Sequence, residues 1–132
     1  AERVKTKIGS AIEDADHRQM QIKGRDVTEG MSRSIVIGSD EIYVAINDAL
    51  QRIVRAIRET LENTPPELSA DIFERGMVIA GGGALLRDMD RRLMQETGLP
   101  VVVAEDPLTC VARGCGRALE EIAVLGDVFA SE

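Results

Sequence analysis

Met77-Val78-Ile79-Ala80-Gly81-Gly82-Gly83-Ala84-Leu85-Leu86-Arg87 is the stretch on which the reading of the whole chain turns. Four apolar residues in an unbroken run suit a strand buried on both faces of a parallel sheet. Three glycines follow. The residues after them predict a helix from about Ala84 to Thr97, with Leu86, Met89, Leu93 and Met94 facing inward. Glycines at a strand-to-helix junction let the backbone approach a phosphate or sugar closely, and free N–H groups with the helix dipole favour an anion there. No Gly-Lys-Ser/Thr follows, so this is not a Walker A loop. Leu86 stands where a dinucleotide fingerprint needs its last glycine. On three glycines alone, a ligand-binding turn and a purely structural one are equally good readings.

Downstream, Gly98 and Pro100 close that helix and residues 101–104, Val-Val-Val-Ala, predict a second strand covered on both faces. Asp106 reads as a cap and Pro107 as the first position of a last helix that runs to about Ile122 or Ala123. Strand, helix, strand, helix from residue 77 onward is half of an α/β domain. Cys110 and Cys115 lie five apart in the last helix, about 500° of turn, so they cannot bridge. They read as buried thiols of a reducing compartment. Ala112, Gly114, Cys115 and Gly116 are small for a helix interior and predict close packing against a neighbouring element. Residues 126–132 read as a loose tail.

Upstream, residues 1–8 predict a helix stopped by Gly9. Residues 11–17 are a polar connector. Residues 18–38 read as two antiparallel strands, with Met20 and Ile22 on one face and a turn at Thr28-Glu29-Gly30. Ser39 then reads as the cap of a long helix, with Asp40 and Glu41 in its first turn where the dipole favours acids. Ile42, Ile46, Leu50, Ile53, Ile57 and Leu61 form its apolar stripe, and Pro65-Pro66 ends it. Ser69 reads as the cap of a shorter helix that Gly76 terminates.

The chain has 132 residues, enough for one domain with its own core. Its formal net charge is −7, which argues against nucleic acid as a partner, since an acidic chain gains nothing from counterion release. No apolar run approaches the length of a membrane span. Aromatics are 2% of the residues, so the core has to be aliphatic. The chain begins at Ala1 rather than Met, and it reads as a piece cut from a longer protein.

Residues 77–87 resemble the adenosine motif of the actin, sugar-kinase and DnaK-type chaperone superfamily. Residues 98–114, Gly-Leu-Pro-Val-Val-Val-Ala-Glu-Asp-Pro-Leu-Thr-Cys-Val-Ala-Arg-Gly, are similar to the C-terminal segment of bacterial actins of the MreB type. Pro65-Pro66-Glu67-Leu68 and Glu74-Arg75-Gly76 fit the same family. Ala1-Glu2-Arg3-Val4-Lys5 resembles the superfamily helix whose Glu and Lys border the adenine. The resemblance implies an α/β fold, the C-terminal part of an actin-like ATPase. Residues 1–50 would be most of subdomain IIB, and residues 51–132 the C-terminal half of the ribonuclease-H-like subdomain IIA. The backbone of Gly81, Gly82 and Gly83 would face ribose and α-phosphate, with Lys5 over the base and Glu2 near the ribose. From spacing alone, Glu2 and Lys5 are better read as a surface pair.

The resemblance further implies ATP or ADP with magnesium in the full-length parent, and no tight binding by this piece. The family's phosphate loops and metal site have no counterpart in this sequence, so no catalytic residue is assigned. Implied partners are other copies in a filament, a RodZ-type membrane adaptor and the cell-wall elongation machinery, with no nucleic acid and no direct membrane insertion by this chain. The expected location is the cytoplasmic face of the membrane, reached through other parts or partners, and the expected role is maintenance of a rod shape. Two other readings are an ATPase domain of a sugar-kinase or chaperone relative and a protein-interaction module without nucleotide.

Overall fold

A computed structural model describes residues 1–13 and 16–121. The predicted loose tail therefore lies outside the described residues. The first helix, α1, covers Glu2–Ile8 and ends at Gly9. A hairpin follows, β1 (Gln19–Arg25) and β2 (Ser32–Gly38), antiparallel, with Gln19 opposite Gly38 and Arg25 opposite Ser32. Its turn is built by Asp26, whose Oδ1 accepts the N–H groups of Thr28 at 2.8 Å and Glu29 at 3.2 Å. Those two bonds and the Arg33 guanidinium favour the ionised form and hold the Asp26 carboxyl below its usual range. Stability from this turn is therefore present above the ordinary carboxylate pKa and is lost as pH falls through the lowered one.

The long helix α2 spans Ser39–Glu62. Its cap is Gly38 rather than Ser39, which is the first helical residue and is buried. Glu41 reaches back to accept the Gly38 N–H at 3.1 Å, so the acidic first turn ties down the cap residue, and no side chain caps the first-turn N–H groups. The shorter helix α3 runs Pro66–Arg75 with proline at its start, and Ser69 lies inside it. A proline ring already holds the backbone angle of a first helical residue, which moves the start ahead of Ser69. Gly76 has φ +77, and a Cβ there would run into the Pro100 carbonyl, so only glycine serves.

The α/β part is smaller than its sequence pattern predicts. β3 (Met77–Ile79) and β4 (Val101–Val103) pair in parallel, Met77 opposite Val101 and Ile79 opposite Val103. The helix α4 between them covers Met89–Thr97, and α5 covers Cys110–Glu120. Three expectations fail here. Only one face of the sheet is covered: Val78 is 72% and Val102 60% exposed. Cys110 is half-buried and Cys115 exposed, although both are free as the spacing required. Gly114 and Gly116 meet nothing within 4 Å, so the small residues of α5 have no close neighbour among the described residues. The common cause is that no described element packs on that side of the sheet, and α5 buries no residue.

α5 also starts later than expected. Asp106 takes a left-handed conformation, φ +47, and its carboxylate accepts the Thr109 hydroxyl at 2.6 Å. The turn at residues 106–109 is thus closed by side chains before the helix begins.

The core lies between α2, α4 and β4. It consists of Ala11, Leu50, Val54, Met89, Leu93 and Val101, with Ile46, Ile57, Met77, Ile79, Leu86 and Met94 packed against it. Leu93 is 1% exposed at its centre. Beside it Arg92, 7% exposed, donates through Nη1 to the Tyr43 hydroxyl at 3.1 Å and the Ala11 carbonyl at 3.4 Å. Its Nη2 donates to Asn47 Oδ1 at 3.4 Å, and its Nε lies 3.2 Å from Glu96 Oε1. Leu93→Ala leaves a cavity that no neighbouring aromatic can refill, and destabilisation by about 3 kcal/mol is expected. Urea unfolding followed by circular dichroism measures it; a loss below about 1 kcal/mol would mean that the α2–α4 seam collapses around the gap.

Candidate functional site

Gly82 and Gly83 border a cleft of about 430 Å³. One wall is α1, which presents Glu2, Lys5 and Thr6 from successive turns. The floor is the middle of α2, with Ile46, Ala49, Leu50 and Ile53. The other wall is formed by Gly82, Gly83, Leu85, Leu86 and Met89, and Leu108 stands at the rim. Its volume is that of a small-ligand site, and its lining is mostly apolar with few polar groups.

The structure thus brings together Glu2, Lys5, Gly82 and Gly83, which lie about 80 residues apart in the sequence. Lys5 Nζ and Glu2 Oε1 form an ion pair at 2.7 Å. The pair is largely solvated, with Lys5 42% and Glu2 81% exposed, so it orders the wall more than it stabilises the fold.

Gly81 is the residue that does not join them. Its φ of +80 and ψ of 179 belong to a region that glycine alone adopts readily. Its N–H donates to the Pro107 carbonyl at 2.7 Å, so that donor is unavailable to a ligand. Gly81 shapes the turn and ties it to the 104–109 loop, which is how Leu108 reaches the rim.

The helix expected from Ala84 is also corrected. Gly82–Leu85 make a single 3₁₀ turn, the chain then breaks, and α4 begins only at Met89, after Asp88 in a left-handed conformation with φ +60. The glycines therefore do not sit at the N-terminus of a long helix, and the dipole argument loses most of its force. What remains is bare backbone. A Cβ on Gly83 would meet nothing within 4 Å, and one on Gly82 would meet only Leu108 Cδ2, at 3.6 Å. No described residue demands glycine at these two positions.

Thr6, Leu108 and the cleft side of α2 were not anticipated as site residues. Thr6 shares a helix face with Glu2, a spacing legible in the sequence. The use of Ile46 and Ile53 was not legible, because a helical stripe reads the same whether it faces a core or a cleft. Among the described residues no group of three His, Cys, Asp or Glu is placed to hold a metal ion, and no helix is long and apolar enough to cross a membrane.

The family model described as MreB/Mbl protein matches residues 1–127. Cell shape-determining protein MreB of Escherichia coli (strain K12) is 55% identical over 133 residues, which span 100% of this chain and 38% of that protein. The Haemophilus influenzae protein of the same name is 52% identical over 135 residues. Cell shape-determining protein Mbl of Bacillus subtilis (strain 168) is 45% identical over 122 residues, 92% of this chain and 37% of that one. Among solved structures, MreB5 of Spiroplasma citri bound to ADP superposes with a TM-score of 0.84 at 37% identity, covering 98% of this chain and 39% of that chain. The same protein bound to AMPPNP superposes with a TM-score of 0.84 at 38% identity. The chain spans about 38% of the length of the curated relatives it matches. Its mixed α/β architecture is that of the corresponding part of actin-like MreB5, and the chain belongs to the MreB/Mbl family.

Proposed function

We propose that this chain supplies the adenosine side of the nucleotide site in an ATP-binding, filament-forming bacterial actin that organises cell-wall synthesis and maintains rod shape. The observation that carries the proposal is the convergence of Glu2, Lys5, Gly82 and Gly83 on one cleft. The nucleotides bound to the MreB5 neighbours support it. The cleft fits a nucleoside better than a triphosphate: its floor is aliphatic, its backbone wall is bare, and its charges lie only on α1. Ile53, Leu85 and Leu108 would pack on the base, the Lys5 stem would lie across it, and Glu2 would accept from ribose hydroxyls. The Gly82 and Gly83 backbone would let the sugar approach.

Residues 1–50 would then form a subdomain IIB portion, and residues 51–132 the C-terminal half of subdomain IIA. Phosphate chemistry and magnesium would be handled by other parts of a protein of the relatives' length. Bound ATP would supply the phosphate whose loss loosens contacts between subunits. This chain's own part is to hold the nucleoside and to offer surface to other copies and to an adaptor at the cytoplasmic face of the membrane.

In a protein of the relatives' length, Gly82→Asp should weaken ATP binding at least tenfold, measured by titration, because a carboxylate would take the place of bare backbone close to phosphate. A Cβ at this position meets only Leu108 Cδ2, at an ordinary 3.6 Å, so unchanged affinity in a folded variant would make the turn purely structural. Lys5→Ala should cost about 1 kcal/mol of adenine-nucleotide binding, roughly fivefold, the worth of stem packing and cation–π attraction. Complete loss, or no change, would show that Lys5 does not lie over the base.

The isolated 132-residue chain should form a dimer or larger species at tens of micromolar. β3 and β4 pair only with each other among the described residues, so each has an open edge, beside the bare Val78 and Val102. Light scattering during size exclusion reads the mass, and a clean monomer would mean that edge and face are covered from within the chain.

A further inference from the structure

The two walls of the cleft come from distant parts of the chain, and something must set the gap between them. α1 is seven residues long and lies on α2 through its last turn, where Ile8 is 6% exposed. Two residues later, Ser10 is 0% exposed and forms a parallel bridge with Arg87, and the Ala11 N–H donates to the Arg87 carbonyl at 2.8 Å. The Ser10 hydroxyl donates to Asp88 Oδ2 at 3.0 Å and itself accepts the Ile12 N–H at 3.3 Å. Asp88 sits between Leu86 and Met89, both of which line the opposite wall.

We propose that Ser10 and Asp88 form a clasp that fixes the separation of α1 from the glycine turn, and that both are positioning residues for an adenosine nucleotide. Neither lines the cleft, so they act through the residues that do. Main-chain bonds alone would hold residues 10–12 beside residue 87, but they would leave the segment free to pivot. The side-chain bond stops that pivot, because breaking it takes a partner from the Ser10 hydroxyl, which is buried away from water, while Asp88 is 21% exposed and keeps Arg91 Nη1 at 3.1 Å. Asp88 also holds the left-handed conformation that separates the 3₁₀ turn from α4, so the residue that receives the bond is the one that sets the angle of the wall. The inference rests on the nucleotide reading given above.

The test uses a protein of the relatives' length and ADP as probe. Ser10→Ala and Asp88→Gly should each weaken ADP about fivefold, and the double variant should be no weaker than the worse single one. Glycine keeps the left-handed backbone at 88, so Asp88→Gly removes the bond to Ser10 together with the carboxylate's exposed contacts to Arg91 and Arg87, and Ser10→Ala removes the clasp alone. Asp88→Asn keeps an acceptor oxygen and should stay within about twofold. In nucleotide-free protein, Ser10→Ala should speed hydrogen exchange across α1 and residues 82–89 while leaving β4 unchanged. Unchanged exchange in both walls would overturn the clasp. Faster exchange with unaltered ADP affinity would reduce it to a structural bond, as would losses that simply add in the double variant. Wild-type protein that binds no ADP would sink the nucleotide reading, and exchange alone would then decide whether the clasp exists.

Discussion

The guanidinium of Arg92 occupies the point where three separate segments meet, and the rest of the structure is arranged around it. It contacts the Ala11 carbonyl, the Tyr43 hydroxyl and the Asn47 amide, with the Glu96 carboxylate one helical turn away. A cation that is 7% exposed is tolerated only where its partners are in place. Satisfying it requires α2, α4 and the strand-like segment at residues 10–11 to be in register at once. The neighbouring Leu93 supplies the apolar half of the same seam, between α2 and β4. Glu96 extends the network outward to Arg58, whose Nη2 lies 2.9 Å from it. Both walls of the cleft hang from this seam: α1 through residues 8–11, and the glycine turn through residues 86–89.

The aliphatic composition explains why so polar an anchor is used. With no Trp, one Tyr and two Phe, the chain has few large rings to wedge helices apart or lock their rotation. Leu, Val and Ile fill the α2–α4 interface, but aliphatic packing alone tolerates small slides. Directional bonds from a rigid guanidinium fork do not. On the far side of the sheet no described element packs, and Val78, Val102 and the Val111 and Leu119 face of α5 remain bare.

Much of the element pattern could be read directly. Gly9, Pro65-Pro66, Gly76 and Gly98 punctuate the helices as local backbone chemistry dictates, and alternation at Met20 and Ile22 marks the inward side of β1. Errors cluster where side chains compete with the backbone. Asp88 and Asp106 adopt left-handed conformations and delay α4 and α5, and neither is signalled by periodicity. Ser39 does not cap α2, because it is already the first helical residue; the N-cap is Gly38, and Glu41 reaches back to accept its N–H.

What the sequence determined by itself was local: element types, their order, the aliphatic core and the glycine turn, together with a family resemblance carried chiefly by residues 77–87 and 98–114. These depend on backbone preference and on periodicities of two and 3.6 residues, which are written along the chain. The tertiary structure alone decided which groups share a site. It brought Glu2 and Lys5 to within one cleft of Gly82 and Gly83, bonded the Gly81 N–H to the Pro107 carbonyl, and made part of the α2 stripe a cleft floor. It also decided which faces stay bare. The physical reason is that burial is a property of pairs of surfaces: a valine or an isoleucine looks the same in sequence whether another element covers it, a ligand space adjoins it, or water does.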